Sequence, residues 1–142
     1  MKMSEKFKIL TQFIKDMSSE TPNVETYFYV KEYLKNYNLN IDITTKPLKN
    51  RMIEIDTKLS YMDKSKSKNK SYFEITYASI VQINEEIKDR KIIEKIILCD
   101  VQKEIYPSLE KVFLNLLSNS GFPGIKFEKK VDFTKLFNEK FN

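Results

Sequence analysis

Alternating hydrophobic and polar residues fill the first half of this 142-residue chain and predict four β-strands. The alternation covers residues 7–16, 38–45, 51–61 and 71–84. In the last three segments one set of alternate positions is apolar and the other is more polar, which is typical of an antiparallel sheet with one face in solvent. The sequence therefore predicts an antiparallel sheet, and its short connections favour hairpins.

The segment between the first two strands does not follow this alternation. Residues 18–23 are polar and indicate a turn, and residues 24–37 are rich in aromatic residues without a clear period. We interpret residues 24–37 as a long crossover that is partly helical. Its aromatic side chains either cover the core or form an exposed apolar groove for other chains, because exposed apolar patches usually mark binding sites.

Helical spacing of apolar residues replaces the alternation in the second half of the chain. It predicts helices over residues 85–100 and 103–119, with Gly121 suited to end the second of them. Asp132 is suited to begin a short last helix. Strands followed by helices predict an α+β fold.

Two features of this order bear on domains and assembly. No repeat or long linker divides the chain, so we expect one domain over residues 1–142. The isoleucines of the first predicted C-terminal helix lie on more than one of its faces, so part of that surface is expected to meet another subunit. The residues assigned to this interface are Ile92, Ile93 and Ile96.

The composition argues against an enzyme. The chain has no His, one Cys and two Gly, which excludes His-dependent catalysis, His-ligated or Cys-rich metal sites and Gly-rich phosphate loops. Glu54 and Asp56 share one strand face, but such alternation is typical of a solvated sheet face with Lys58 beside them. Cys99 lies in an apolar helix, where a free thiol is usually a small buried hydrophobe. We therefore expect no cofactor and no metal.

The net charge of +5 and the pI near 9.1 favour an anionic partner at first sight. Only Arg51 and Arg90 are arginines, however, and nucleic-acid sites favour Arg over Lys. The abundance of Lys, Ile and Asn, which share A/T-rich codons, explains the charge without a binding role. The lysine-rich residues 63–70 indicate a solvated loop, and a basic nucleic-acid-binding module remains the alternative from another class of function.

Neither a secretion signal nor an apolar run long enough to cross a membrane is found. Together with the single thiol, this predicts a protein of the reducing cytoplasm.

Three short stretches stand in order along the chain. Residues 14–23 end in the pair Pro22-Asn23, and residues 74–78 read Glu-Ile-Thr-Tyr-Ala. Ile105-Tyr106-Pro107 is followed by Phe122-Pro123 and then by Val131-Asp132-Phe133. In this order and spacing the chain resembles the SecB family of cytosolic protein-export chaperones over nearly its whole length.

This resemblance implies a four-stranded antiparallel sheet packed against C-terminal helices, in a homotetramer built as a dimer of dimers. It implies a chaperone that binds unfolded precursor proteins without ATP, keeps them translocation-competent and delivers them to the SecA motor. The acidic residues that match the family's SecA-docking positions are Asp16, Glu20 and Glu74. The client-binding apolar surface is assigned to Tyr27, Phe28, Tyr29 and Tyr33.

The chain departs from the family in charge. Family members are usually acidic and carry an acidic tail, whereas this chain is basic and has no such stretch after its last predicted helix. These departures motivate an alternative, in which a SecB-like chaperone serves one dedicated client, such as an antitoxin, and has no export role.

Overall fold

The computed structural model describes residues 5–64, 70–127 and 131–141. Its four strands form one antiparallel sheet, as the sequence predicts, and their order in the sheet is β1-β4-β3-β2. The strands are β1 (Phe7–Glu20), β2 (Tyr37–Pro47), β3 (Met52–Asp63) and β4 (Tyr72–Ile83). Strands β1 and β2 form the two outer edges, so each has a neighbour within the sheet on one side.

The helices complete an α+β fold, which confirms the predicted class. Helix α1 (Val24–Glu32) and a 3₁₀ turn (Leu34–Asn36) make up the crossover from β1 to β2, which is partly helical as predicted. After β4, α2 (Arg90–Lys95), a π-helical turn (Ile96–Asp100) and α3 (Val101–Asn119) follow without a break. Helix α4 (Phe133–Phe141) begins after Asp132, whose Oδ1 accepts from the Lys135 backbone N–H at 3.0 Å.

The first C-terminal helix begins later than predicted, at Arg90 instead of residue 85. Asp89 caps it, since its Oδ1 accepts a hydrogen bond from the Lys91 N–H at 2.9 Å. The residues before α2 form a turn. The Arg51 guanidinium donates hydrogen bonds to two backbone carbonyls of this turn, Asn84 O at 3.1 Å and Ile87 O. A tertiary contact from another hairpin therefore keeps this segment out of the helix.

The core lies between one face of β3 and β4 and the helical run 90–119. The odd-numbered residues of these strands point at the helices, and Ile55, Leu59, Phe73 and Ile75 are fully buried. They pack with a stripe of α3 at helical spacing, as the sequence predicts. The buried α3 residues of this stripe are Ile105, Leu109, Phe113 and Leu117.

Two bulges in β1 change which face its residues occupy. Leu10 and Lys15 have no partner in the β1–β4 register, so the alternation shifts by one residue at each. Phe7 and Ile9 therefore point at the helices, whereas Phe13 points at the opposite face. The strand also runs to Glu20 instead of ending at residue 16, because its polar end pairs with the start of β4.

A polar pair connects the sheet to the helices within this apolar layer. The Thr57 hydroxyl donates to Gln102 Oε1 at 3.1 Å and accepts from Gln102 Nε2 at 3.0 Å, and both residues are fully buried. Gln102 Nε2 also approaches Ile97 O in the π-helical turn, at 3.5 Å. Each side chain satisfies the other, so the pair fixes the position of α3 over β3.

We predict that Gln102→Leu lowers the free energy of unfolding by about 1–3 kcal/mol, because the Thr57 hydroxyl then stays buried without a partner. The double variant Thr57→Val/Gln102→Leu should lose less than the sum of the two single losses. Urea unfolding at one fixed protein concentration measures the four free energies. Glu104→Gln, at an exposed position of the same helix, is the control, and strictly additive losses would contradict the coupling.

Candidate functional site

The face of the sheet that points away from the helices is called the open face. It is formed by the even-numbered residues of β2, β3 and β4 and, because of the bulges, by a mixed set from β1. Most of its side chains are polar or charged, as the alternation predicts. The charged residues of the strands on this face are Lys8, Lys15, Asp16, Glu20, Asp42, Lys46, Glu54, Asp56, Lys58 and Glu74.

The three acidic residues assigned to docking come together on the open face. Ser18 of β1 pairs directly with Glu74 of β4, and Asp16 and Glu20 lie two residues to either side of Ser18. Diagonal neighbours across an antiparallel pair are about 7–8 Å apart, so the carboxylates form one patch at the β1 edge. Asp16 and Glu20 are exposed, and neither forms an ion pair within the ranges that the structure describes.

Glu74 differs from Asp16 and Glu20 because other side chains of the protein already bind its carboxylate. Its Oε1 lies 3.0 Å from Lys58 Nζ, and its Oε2 accepts a hydrogen bond from the Tyr72 hydroxyl. The Tyr72 hydroxyl and then Lys58 lower the pKa of Glu74 below its ordinary value, against partial burial. Glu74 raises the pKa of Lys58 in return. The residue is thus a charged carboxylate held within an ion pair.

A second ion-pair cluster lies beside this patch. Lys15 Nζ is 2.5 Å from Glu54 Oε2 and 2.9 Å from Asp56 Oδ2, so one lysine bridges the two carboxylates that share β3. The contact with Glu54, and next the contact with Asp56, raise the pKa of Lys15 above its ordinary value. Lys15 in turn lowers the pKa of Glu54. Lys58 lies on the same strand face two residues after Asp56, as the alternation predicts, but its ammonium group pairs with Glu74. Lys15 of β1, which the pattern does not indicate, pairs with Glu54 and Asp56 instead.

The open face is acidic although the chain is basic. Its six carboxylates against four lysines give the strand residues of the open face a net charge of −2, while the whole chain has +5. The excess positive charge therefore lies elsewhere on the molecule. An approaching basic segment is attracted to this face in spite of the net charge of the protein.

Helix α1 is fixed to the fold by one of its aromatic residues. The Tyr27 hydroxyl donates to Gly121 O at 2.8 Å, and its ring stacks on Phe122 at 5.1 Å between centroids. Gly121 has φ +102°, as expected of the glycine predicted to end α3, and a Cβ there would come within 2.5 Å of the Tyr27 ring. Tyr27 thus serves first as an anchor between α1 and the end of α3.

The next residue of α1 points outward. Phe28 is 62% exposed and Val24, one helical turn before it, is 65% exposed. Tyr29 and Tyr33 are half-buried and pack on each other with ring centroids 4.6 Å apart. Of the four aromatic residues assigned to client binding, Phe28 therefore offers the most accessible apolar surface.

The three isoleucines assigned to a subunit interface are placed differently from one another. Ile92 is largely exposed, Ile93 is half-buried, and Ile96 is fully buried in the core of its own chain. Cys99 is buried, as predicted for a small hydrophobe. The sequence analysis did not single out the exposed apolar residues of β1, which are between 43% and 46% exposed. They are Leu10, Phe13, Ile14 and Met17.

Other kinds of site receive no support from the described ranges. Within them no group of His, Cys, Asp or Glu is arranged to hold a metal ion. The helices of the same ranges are all too short or too polar for a membrane span. Most of the lysine-rich connection lies at residues 65–69, outside the described residues, so its predicted role as a solvated loop stays a prediction.

Comparison with known sequences gives one family. The family model described as "Preprotein translocase subunit SecB" matches residues 1–142. A provisionally named SecB protein-export protein from Pelagibacter ubique is 54% identical over 140 residues, which are 99% of this chain and 100% of that protein. The protein-export protein SecB of Parvibaculum lavamentivorans is 23% identical over 134 residues, or 94% of this chain and 77% of that protein.

Comparison with solved structures supports the same fold. A SecB-like chaperone from Mycobacterium tuberculosis, solved with a peptide from an antitoxin, superposes with a TM-score of 0.63. The two chains share 9% sequence identity, and the match covers 88% of this chain and 91% of the other. The likeness confirms the architecture of sheet and C-terminal helices.

We predict that Lys58→Met raises the pKa of Glu74 part of the way to its ordinary value, because the Tyr72 hydroxyl remains in place. Because folding lowers the pKa of Glu74, the Lys58–Glu74 ion pair contributes its full stability above about pH 4.3, the ordinary pKa of Glu. This contribution is lost as the pH falls through the lowered pKa of the folded protein. NMR titration of the Glu74 carboxyl carbon measures the change. Lys8→Met on the same face should leave this pKa unchanged, and an unchanged value in Lys58→Met would refute the assignment.

Proposed function

Because this chain belongs to the SecB family and is therefore an export chaperone and not an enzyme, we propose that it binds unfolded precursor proteins in the cytoplasm without ATP. We further propose that it keeps them translocation-competent and delivers them to the SecA motor. The family match over residues 1–142 carries this proposal. The chain's two glycines leave no Gly-rich phosphate loop, in keeping with ATP-independent holding.

Exposed apolar surface on α1 supports client binding. A chaperone that holds many sequences needs a shallow apolar surface instead of a shaped polar pocket. Phe28 and Val24 provide such surface, while Tyr27 holds the helix in position from its other side. We assign Phe28, Tyr29 and Tyr33 to client contact, and Tyr27, which is half-buried, to the margin of the same surface.

The edge strand β1 supports a homotetramer built as a dimer of dimers. Four large apolar side chains of β1 are nearly half exposed, and among the described residues no strand pairs with its outer edge. Such an edge favours pairing with a second chain. Ile92 and Ile93 add apolar surface on α2, and Ile96 supports them from the core. Several weak client contacts on one oligomer then act together.

The acidic patch of Asp16, Glu20 and Glu74 supports delivery to SecA. Its net negative face is suited to a basic segment of the motor, and it lies on the opposite side of the sheet from the helices. Docking and client holding can therefore use different surfaces at the same time.

A dedicated chaperone for one client, such as an antitoxin, is the second candidate. The Mycobacterium tuberculosis SecB-like chaperone of the same fold was solved with an antitoxin peptide, and the basic net charge departs from the export family. Client capture without any SecA binding would favour this candidate over delivery to the motor.

We predict that Phe28→Ser weakens capture of an unfolded precursor about three- to tenfold, because an exposed Phe loses apolar area that the client would bury. Native mass measurement with and without the precursor reads both oligomeric state and capture, with a four-chain species expected. Leu136→Ser removes another exposed apolar side chain, on α4, and should have little effect. Equal losses in the two variants, or no capture by the unaltered protein, would be evidence against this proposal.

We predict that Asp16→Lys/Glu20→Lys lowers SecA affinity about tenfold or more at low salt, because like charges then face each other. Precursor capture should stay unchanged. The control Glu85→Lys/Glu86→Lys makes the same charge change at exposed residues of the β4–α2 connection. Titration calorimetry against purified SecA measures both pairs, and equal affinities for the two variants would remove the docking assignment.

A further inference from the structure

We propose that Lys58 and Lys15 are built-in competitors on the open face, which hold carboxylates that a basic partner segment would otherwise contact and so limit its affinity. The proposal rests on the docking function proposed above, and it names two residues that set the strength of docking. The occupant it requires is a lysine- or arginine-rich segment of the SecA motor.

Glu74 shows the competition most directly. Both of its carboxylate oxygens already have partners, Lys58 Nζ at 3.0 Å and the Tyr72 hydroxyl. Its side chain keeps 14% of its surface in solvent, whereas that of Lys58 keeps 41%. An incoming cation thus competes with Lys58 for the Glu74 carboxylate, and the exposed part of the Lys58 side chain leaves it room to turn towards solvent.

Lys15 occupies two further carboxylates of the same face, Glu54 and Asp56. It is the extra residue of the second β1 bulge, and its side chain is 47% exposed. A bulge re-aims the side chain that it carries. Here it lets Lys15 join its neighbour Asp16 on the open face, which strict alternation of successive residues would not allow.

These contacts divide the face into two parts. Asp16 and Glu20 are exposed and without an ion pair among the described residues, and they remain available to a partner. Glu54, Asp56 and Glu74 are held by the two lysines. A basic segment therefore first meets Asp16 and Glu20, and has to compete with Lys58 for the third carboxylate of the patch.

If Lys58 and Lys15 served only to stabilise the fold, their removal would affect stability and would raise the affinity for a basic partner no more than the loss of another lysine of this face. Exposed ion pairs contribute little to stability, so their removal should change the unfolding temperature only slightly. Removing either lysine makes the open face more negative by one charge, and it frees one carboxylate for Lys58 and two for Lys15. A competitor is thus recognised by a gain in partner affinity that exceeds the gain from removing an exposed lysine of the same face that holds no carboxylate in the described ranges.

The test compares Lys58→Met, Lys15→Met and their combination with Lys8→Met, which removes an exposed lysine from the same face without breaking an ion pair of the described residues. Affinity is measured at low salt for purified SecA and for a short synthetic lysine-rich peptide. Each of the first two substitutions should raise both affinities about two- to fivefold over the unaltered protein. The gain should be larger in the combined variant, smaller in Lys8→Met, and lost at about 0.5 M salt.

The outcomes separate the inference from the docking function. If SecA binds but Lys58→Met and Lys15→Met gain no more than Lys8→Met, the competitor role is wrong and docking stands. If the peptide shows the expected gains while SecA binds no variant, the two lysines compete for the face, but SecA is not its occupant and delivery to the motor is wrong. If neither probe binds any variant, both proposals are wrong.

Discussion

Packing of one sheet face against the helical run 90–119 fixes which side chains of this protein reach solvent. Leu59 and Phe73 from the sheet and Leu109 and Phe113 from α3 are fully buried in this layer. Because strand side chains alternate with a period of two, a shift of one residue would send this whole set to the other face. The shift would also bury Glu74 and its charged neighbours, so the apolar layer holds the acidic patch on the open face.

The same constraint shows how much could be predicted from the sequence. Strands β2, β3 and β4 and the stripe of α3 follow their periods, so their bounds and faces were predicted to within a few residues. The start of α2 was predicted too early because Arg51, which is distant in sequence, donates hydrogen bonds to backbone carbonyls just before this helix. The faces of β1 were missed because bulges at Leu10 and Lys15 leave no mark in composition. Contacts between distant residues decide both features.

The candidate site was predictable to a similar degree. Glu74 is far from Asp16 and Glu20 in the sequence, and the resemblance to a family grouped the three residues before the strand register showed that they lie together. Composition alone pointed the other way, since a chain of +5 suggests an anionic partner. The topology sorts these charges, so that the four strands have a net charge of −2 on the open face. Net charge is therefore a poor guide to which partner a particular face attracts.

Exposed apolar surface on a folded chain has to be held in place if it is to serve client binding without loss of the fold. In α1 this is achieved by giving neighbouring residues opposite tasks: Thr26, Tyr27 and Val30 attach the helix to the core, and Phe28 faces solvent. The low helical periodicity of this segment, which obscured its structure in the sequence, follows from this division. A segment with apolar side chains on both its inner and outer faces cannot show one apolar stripe. The missing period thus reflects the exposed apolar surface of α1, which is the surface proposed here for client binding.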